Sequence, residues 1–113
     1  MGYDEPLGAR VRTALSGTPG LTEKHMFGGL CFLINGHMCA GIVGSTLMVR
    51  IGPDGYAEAL TQPNVRPMDF TGRPMTGMIF VDPPAIATEA GLTDWATRGA
   101  GFAASLPPKP PKS

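Results

Sequence analysis

A chain of 113 residues holds one small domain, because two cores of half that size would each sit near the lower limit of independent stability. Nine Lys and Arg balance nine Asp and Glu; Lys109 and Lys112 fall in a proline-rich tail, so the body up to Pro108 carries seven basic against nine acidic residues, a net charge of −2. Such a body has no surplus of cations to neutralise many phosphates, which argues against strong unaided binding to nucleic acid.

A hydrophobic fraction of 42% beside a charged fraction of 16% is the composition of a chain that forms a core rather than a disordered one. No apolar run approaches the roughly 18 residues that span a bilayer. The opening Met1-Gly2-Tyr3-Asp4-Glu5-Pro6 is acidic, with no hydrophobic segment of a signal peptide after it. Two cysteines are too few for a disulfide framework. These features predict a soluble cytoplasmic protein without a membrane segment.

In chain order, Asp4 is an expected N-cap, with Glu5 and Pro6 in the first turn and Leu7, Val11 and Leu15 as one helical stripe ending near Ser16-Gly17. From Lys24 to Ile51 apolar runs of strand length replace that period. Asn35-Gly36 marks a type I′ hairpin, since both central positions need positive φ. This turn predicts the pairs Ile34 with His37, Leu33 with Met38, Phe32 with Cys39 and Cys31 with Ala40. A second turn at Gly44-Ser45 pairs Val43 with Thr46, Ile42 with Leu47 and Ala40 with Val49. Unbroken alternation then places Cys31, Leu33, Met38, Ala40, Ile42, Leu47, Val49 and Ile51 on a core face. Phe32, Ile34, His37, Cys39, Gly41, Val43, Thr46, Met48 and Arg50 go to a second face.

Pro53 to Leu60 suits a short helix. Met68-Asp69-Phe70 is read as a short strand, Thr71-Gly72-Arg73-Pro74 as a turn and Met75 to Val81 as a firmer strand that pairs with the first. A last helix begins near Leu92 or Thr93, its stripe formed by Leu92, Trp95, Gly99, Phe102 and Leu106. Pro107 onward cannot continue a helix and is expected to be an extended tail. The expected organisation is one domain over residues 1–106 with a flexible tail over 107–113. Its class is α+β, a two-layer α/β sandwich whose antiparallel sheet of about five strands packs on the terminal helices.

No catalytic residues, cofactor or metal are assigned. His37 and Cys39, two apart on one strand, would share a side, but no third His or Cys joins them there, so an ordinary strand histidine beside a small thiol is preferred to zinc. No disulfide between Cys31 and Cys39 is expected, because their Cβ vectors diverge. Gly28 and Gly29 read as a bulge or bend, and Gly72 as part of a turn. The second face, with Phe32, Ile34, Val43, Met48 and Arg50, is too apolar to be left wet. It predicts either a partner surface or a cover formed by the chain from Gln62 to Phe70. A small-molecule or anion site using His37, Cys39, Arg50 and Arg73 is the alternative.

The run Met26-Phe27-Gly28-Gly29-Leu30-Cys31-Phe32, then Asn35-Gly36-His37-Met38 and Leu47-Met48-Val49-Arg50-Ile51-Gly52, resembles the N-terminal domain of TfoX/Sxy-type proteins. Pro67-Met68-Asp69-Phe70-Thr71-Gly72-Arg73-Pro74-Met75-Thr76-Gly77 and the ending from Trp95 to Pro107 are similar too. The resemblance implies a two-layer α/β fold and a link to bacterial transcriptional regulation, since such regulators promote competence genes alongside the cyclic-AMP receptor protein. This chain resembles a stand-alone version of their N-terminal domain. The expected function is a non-enzymatic regulatory domain that works through a protein partner, with the transcription machinery as the candidate, or through self-association.

Overall fold

The computed structural model describes residues 3–26, 28–68 and 76–107. Helix α1 spans Glu5–Ala14, and the Asp4 carboxylate caps it by accepting from the Leu7 N–H at 3.1 Å. Its stripe of Leu7, Val11 and Leu15 is buried as the spacing predicts. Strands β1 (Leu21–Met26), β2 (Gly29–Ile34), β3 (His37–Val43) and β4 (Thr46–Arg50) follow as an antiparallel meander. Helix α2 (Pro53–Ala59) leads to β5 (Val65–Pro67), β6 (Met78–Val81), a 3₁₀ turn (Pro83–Ile86) and helix α3 (Glu89–Ser105).

The six strands lie in the order β1-β2-β3-β4-β6-β5, antiparallel throughout. Leu7 and Val11 of α1, Ala59 of α2 and Leu92, Trp95, Ala96, Ala100 and Ala103 of α3 all join one hydrophobic cluster with the sheet. The class is therefore α+β with helices on a single face, as expected.

Three elements differ from the sequence reading. Strand β1 makes the sheet six-stranded; Thr22, Glu23, Lys24 and His25 are all exposed at an edge, so the segment lacks the apolar alternation that marks a half-buried strand. The strand expected at Met68 lies just before it, at Val65–Pro67; Asp69, Phe70 and the expected turn with Gly72 and Arg73 lie outside the described residues, as does the tail from Pro108. Helix α3 begins at Glu89, one turn early, because Thr88 caps it by accepting from the Gly91 N–H at 3.0 Å.

The two turns form as predicted, with Asn35 at φ 53° and Gly36 at φ 86°. Ile34 opposes His37 and Leu33 opposes Met38, and beyond Gly44 the pairs Val43–Thr46, Ile42–Leu47 and Ala40–Val49 hold. Between them the register slips: Phe32 opposes Ala40 and Cys31 opposes Gly41, so Cys39 is the extra residue of a β-bulge. A bulge reverses the alternation on one side of itself. Phe32, Ile34 and Cys39, expected on the second face, are in the helix-side core. Cys31, Leu33 and Met38, expected in that core, belong to the opposite face. The Cys39 carbonyl sits where a side chain at Gly99 would be, so the bulge lies under the closest approach of α3 to the sheet. Each fully buried aliphatic or aromatic side chain in that core contributes about 1.5–3 kcal/mol, which holds the bulged register in place.

Candidate functional site

The face of the sheet opposite the helices carries a second, smaller cluster: Cys31, Met48, Met68, Met78 and Phe80, with Leu33, Met38 and Val43 packed half-buried against it. One row runs straight across the strands. Cys31 opposes Gly41, Gly41 opposes Met48, Met48 opposes Phe80 and Phe80 opposes Arg66. The Arg66 guanidinium lies over the Phe80 ring, 4.7 Å from its centroid, and is held by Asp82 at 2.9 Å.

Of the residues proposed from sequence as a partner surface, Phe32 and Ile34 are 0% and 1% exposed beneath the helices, and Met48 is 1% exposed on the opposite face. Val43 and Arg50 lie on that opposite face, as expected, and remain half-buried. Met68, from the segment expected to cover this face, is part of its cluster.

Arg50 occupies a distinct setting at the end of β4. Its guanidinium stands over the Phe102 ring of α3, 5.4 Å from the centroid. Around it is a cleft of about 90 Å³ lined by Arg50, Gly52, Pro53, Thr76, Gly77, Met78 and Phe102. The base of the cleft is closed by the Ile51 and Gly52 N–H groups, which both donate to the Gly77 carbonyl at 2.8 and 3.1 Å. Gly52 is required there: its φ is 87°, and a Cβ would meet the Phe102 ring at 2.5 Å. Arg10 pairs with Glu89, Arg12 with Glu23, Arg66 with Asp82 and Arg98 with Asp94. Among the described residues, Arg50 alone of the arginines has no carboxylate partner.

His37 and Cys39 do not line this cleft. The His37 Nε2–H donates to the Pro107 carbonyl at 2.6 Å, tying the β2–β3 turn to the end of α3. Cys39 is fully buried in the helix-side core and Cys31 in the opposite cluster, both as free thiols. Burial pushes the Cys39 thiol up to about 11, only partly offset by hydrogen bonds from the Cys39 and Ala40 N–H groups, and raises Cys31 by the same cause. Burial of this kind disfavours the thiolate of both residues. Among the described residues, no three His, Cys, Asp or Glu side chains gather in one place, and no helix is long and apolar enough to cross a membrane.

The sequence reading missed Cys31, Met68, Met78 and Phe102 as site residues. A signal was present for the first: on β2 the set Leu30, Phe32, Ile34 is bulkier than Cys31, Leu33, and the larger set is the one that fills a helix-covered core. Phe102, read only as a member of the last helix's apolar stripe, is half-buried and faces Gly52 and Arg50.

A family model described as the TfoX N-terminal domain matches residues 13–103, from the last turn of α1 to within two residues of the end of α3. The chain belongs to this family. All four internal blocks that carried the resemblance lie inside the matched span, and the chain is accordingly a regulatory domain of the TfoX type. Comparisons with curated proteins and with solved structures find no match.

Proposed function

We propose that this TfoX N-terminal domain is a non-enzymatic, cytoplasmic regulator that acts by touching another protein, either a component of the transcription machinery or a second copy of itself. The observation that carries the reading is the difference between the two edges of the sheet. Strand β5 has three residues and ends in Pro67, and its Arg66 is engaged by Asp82; short strands and prolines blunt an edge. Strand β1 has six residues, none of them proline, and exposes Thr22 to His25. An edge of that kind accepts an extended segment of a partner as an added strand. Leu33, paired with Thr22, and Met38, paired with Leu33, supply half-buried apolar contacts beside it.

Adjacent residues of a strand point their N–H groups to opposite sides, so one of Lys24→Pro and His25→Pro leaves the β1–β2 ladder intact while removing an outward donor. The variant that retains the wild-type circular dichroism spectrum is then compared with wild type by sedimentation and by retention on immobilised RNA polymerase and on cyclic-AMP receptor protein. Loss of a wild-type complex or dimer in that variant is the expected result. A wild-type chain that is monomeric and held by neither protein overturns the reading.

A second reading has its own observation, Arg50 in its cleft without a carboxylate partner among the described residues: a small-anion site. A thermal-shift screen of phosphate and nucleotides tests it, because a ligand at about 100 times its Kd adds about 2.7 kcal/mol of stability. The shift is expected to vanish in Arg50→Gln, and a flat response to every anion removes this reading.

A further inference from the structure

Arg10, Arg12, Arg66 and Arg98 each pair with a carboxylate; the half-buried Arg50 has no such partner among the described residues. Its guanidinium rests instead against the Phe102 ring, a contact that fixes its place and spends none of its N–H donors on an acceptor. The groups around it converge from β4, α2, β6 and α3. Arg50 opposes Met78 across β4 and β6. The Gly77 carbonyl takes both the Ile51 and the Gly52 N–H. A Cβ at Gly77, where φ is 92°, would lie 3.2 Å from the Gly52 carbonyl carbon and 3.4 Å from the Pro53 nitrogen. Gly52 in turn packs directly against the Phe102 ring. Two glycines at positive φ thus bring these backbones together and leave open the space beside Arg50.

We propose that this cleft binds a small aliphatic monocarboxylate, a proposal that rests on the small-anion reading of the same cleft. Charge makes the first selection. Among the described lining residues Arg50 alone is charged, so a single carboxylate balances it, whereas a phosphate monoester carries about −1.5 to −2 and leaves the site net negative. Donors make the second. Phosphate sites gather backbone N–H groups in nests or at helix N-termini; here the Ile51 and Gly52 N–H groups are already spent on Gly77. The cleft offers one planar fork, which matches the two oxygens of a carboxylate, with the hydroxyl of Thr76, another lining residue, as a further donor. Pro53, Met78 and Phe102 supply carbon surface next to the charge, which favours an acid with a hydrocarbon chain over an inorganic anion. The volume of about 90 Å³ is well below the roughly 300 Å³ of a pocket that encloses a drug-sized ligand, so the chain is short, of the length of propionate or butyrate. The C-terminus of a peptide carries the same carboxylate chemistry, and the test separates the two sources.

The full chain, isotope-labelled, is titrated with sodium butyrate at fixed ionic strength while the Arg50 side-chain Nε–H and the Gly52, Thr76 and Gly77 amide signals are followed by NMR. Saturable shifts of these signals are the expected result, with butyramide, the uncharged isostere, producing none and phosphate binding at least tenfold more weakly. Arg50→Gln is expected to abolish the response and Arg50→Lys, which keeps the charge but loses the fork, to weaken it at least threefold. An acetylated alanine dipeptide with a free C-terminus is expected to bind no more tightly than butyrate; tighter binding assigns the site to a peptide and overturns the proposal. Equal responses to butyrate and butyramide in wild type, or an undiminished response in Arg50→Gln, overturn it as well. Phosphate that saturates these signals as tightly as butyrate overturns the carboxylate assignment and leaves the small-anion reading standing, whereas no response to any anion removes both.

Discussion

On the helix-covered face of the sheet, Leu30, Phe32 and Ile34 meet Ile42, Leu47, Val49, Ile79 and Val81, and the small pair Cys39 and Ala40 lies under the Gly99 and Ala100 region of α3. On the opposite face Cys31, Met48, Met68, Met78 and Phe80 do the same work with unbranched, polarisable side chains. Branched residues hold one rotamer and lock a register; methionines adapt to irregular space. The difference assigns stability and register to the first face and adaptability to the second.

The sharpest way to break that comparison is Phe32→Ala, which removes a fully buried ring from the rigid face and is expected to cost about 3–5 kcal/mol in urea unfolding. On the soft face Met48→Leu is expected to stay within about 1.5 kcal/mol. Equal losses would mean that the two faces are packed alike. Next in size is the pH response of Cys39. An unfolded thiol ionises near 9, while the buried Cys39 keeps its proton to about 11. Its folded pKa is raised, so its share of stability is complete below pH 9 and is lost as pH climbs to about 11, by about 2–3 kcal/mol. Thermal melts between pH 8 and 11 measure this, and Cys39 is expected to resist alkylation at pH 8 until the chain unfolds.

A smaller effect is expected for Gly41→Ala. The new methyl meets the mobile Met48 terminus at 2.5 Å and the Leu30 carbonyl at 3.2 Å, so Met48 moves aside for about 1 kcal/mol. A cost of several kcal/mol would show that the soft face is as rigid as the other. The smallest concerns the rim. Arg12 grips Glu23 with bonds of 2.6 and 2.7 Å, and that hydrogen bond, ahead of the opposing desolvation, holds the Glu23 carboxyl below its ordinary range. The contribution is present above the ordinary carboxylate pKa and is lost as pH falls through the lowered one. The pair is exposed, so Glu23→Gln is expected to cost well under about 1 kcal/mol at neutral pH.

Much of the fold was legible in local chemistry. Asp4 capped α1, Asn35-Gly36 and Gly44-Ser45 made the turns, and the stripes of α1 and α3 faced the sheet, because caps, positive-φ turns and helical periods are settled by neighbours in the chain. The candidate sites were less legible. A turn sets a register only as far as the next irregularity, and the bulge at Cys39 exchanged the faces of Phe32, Ile34 and Cys31. The second-face cluster spans residues 31 to 80 and the Arg50 cleft residues 50 to 102, spans that no spacing rule connects.

By itself, then, the sequence determined the family, the class, the turns and the buried stripes, because each depends on short-range geometry and on the amount of apolar surface to be hidden. Tertiary structure alone decided which face Cys39 and Phe32 take and which residues stand together around Arg50. The close approach of α3 at Gly99 lies over the extra residue in β3, and one inserted residue reverses every side chain on one side of it.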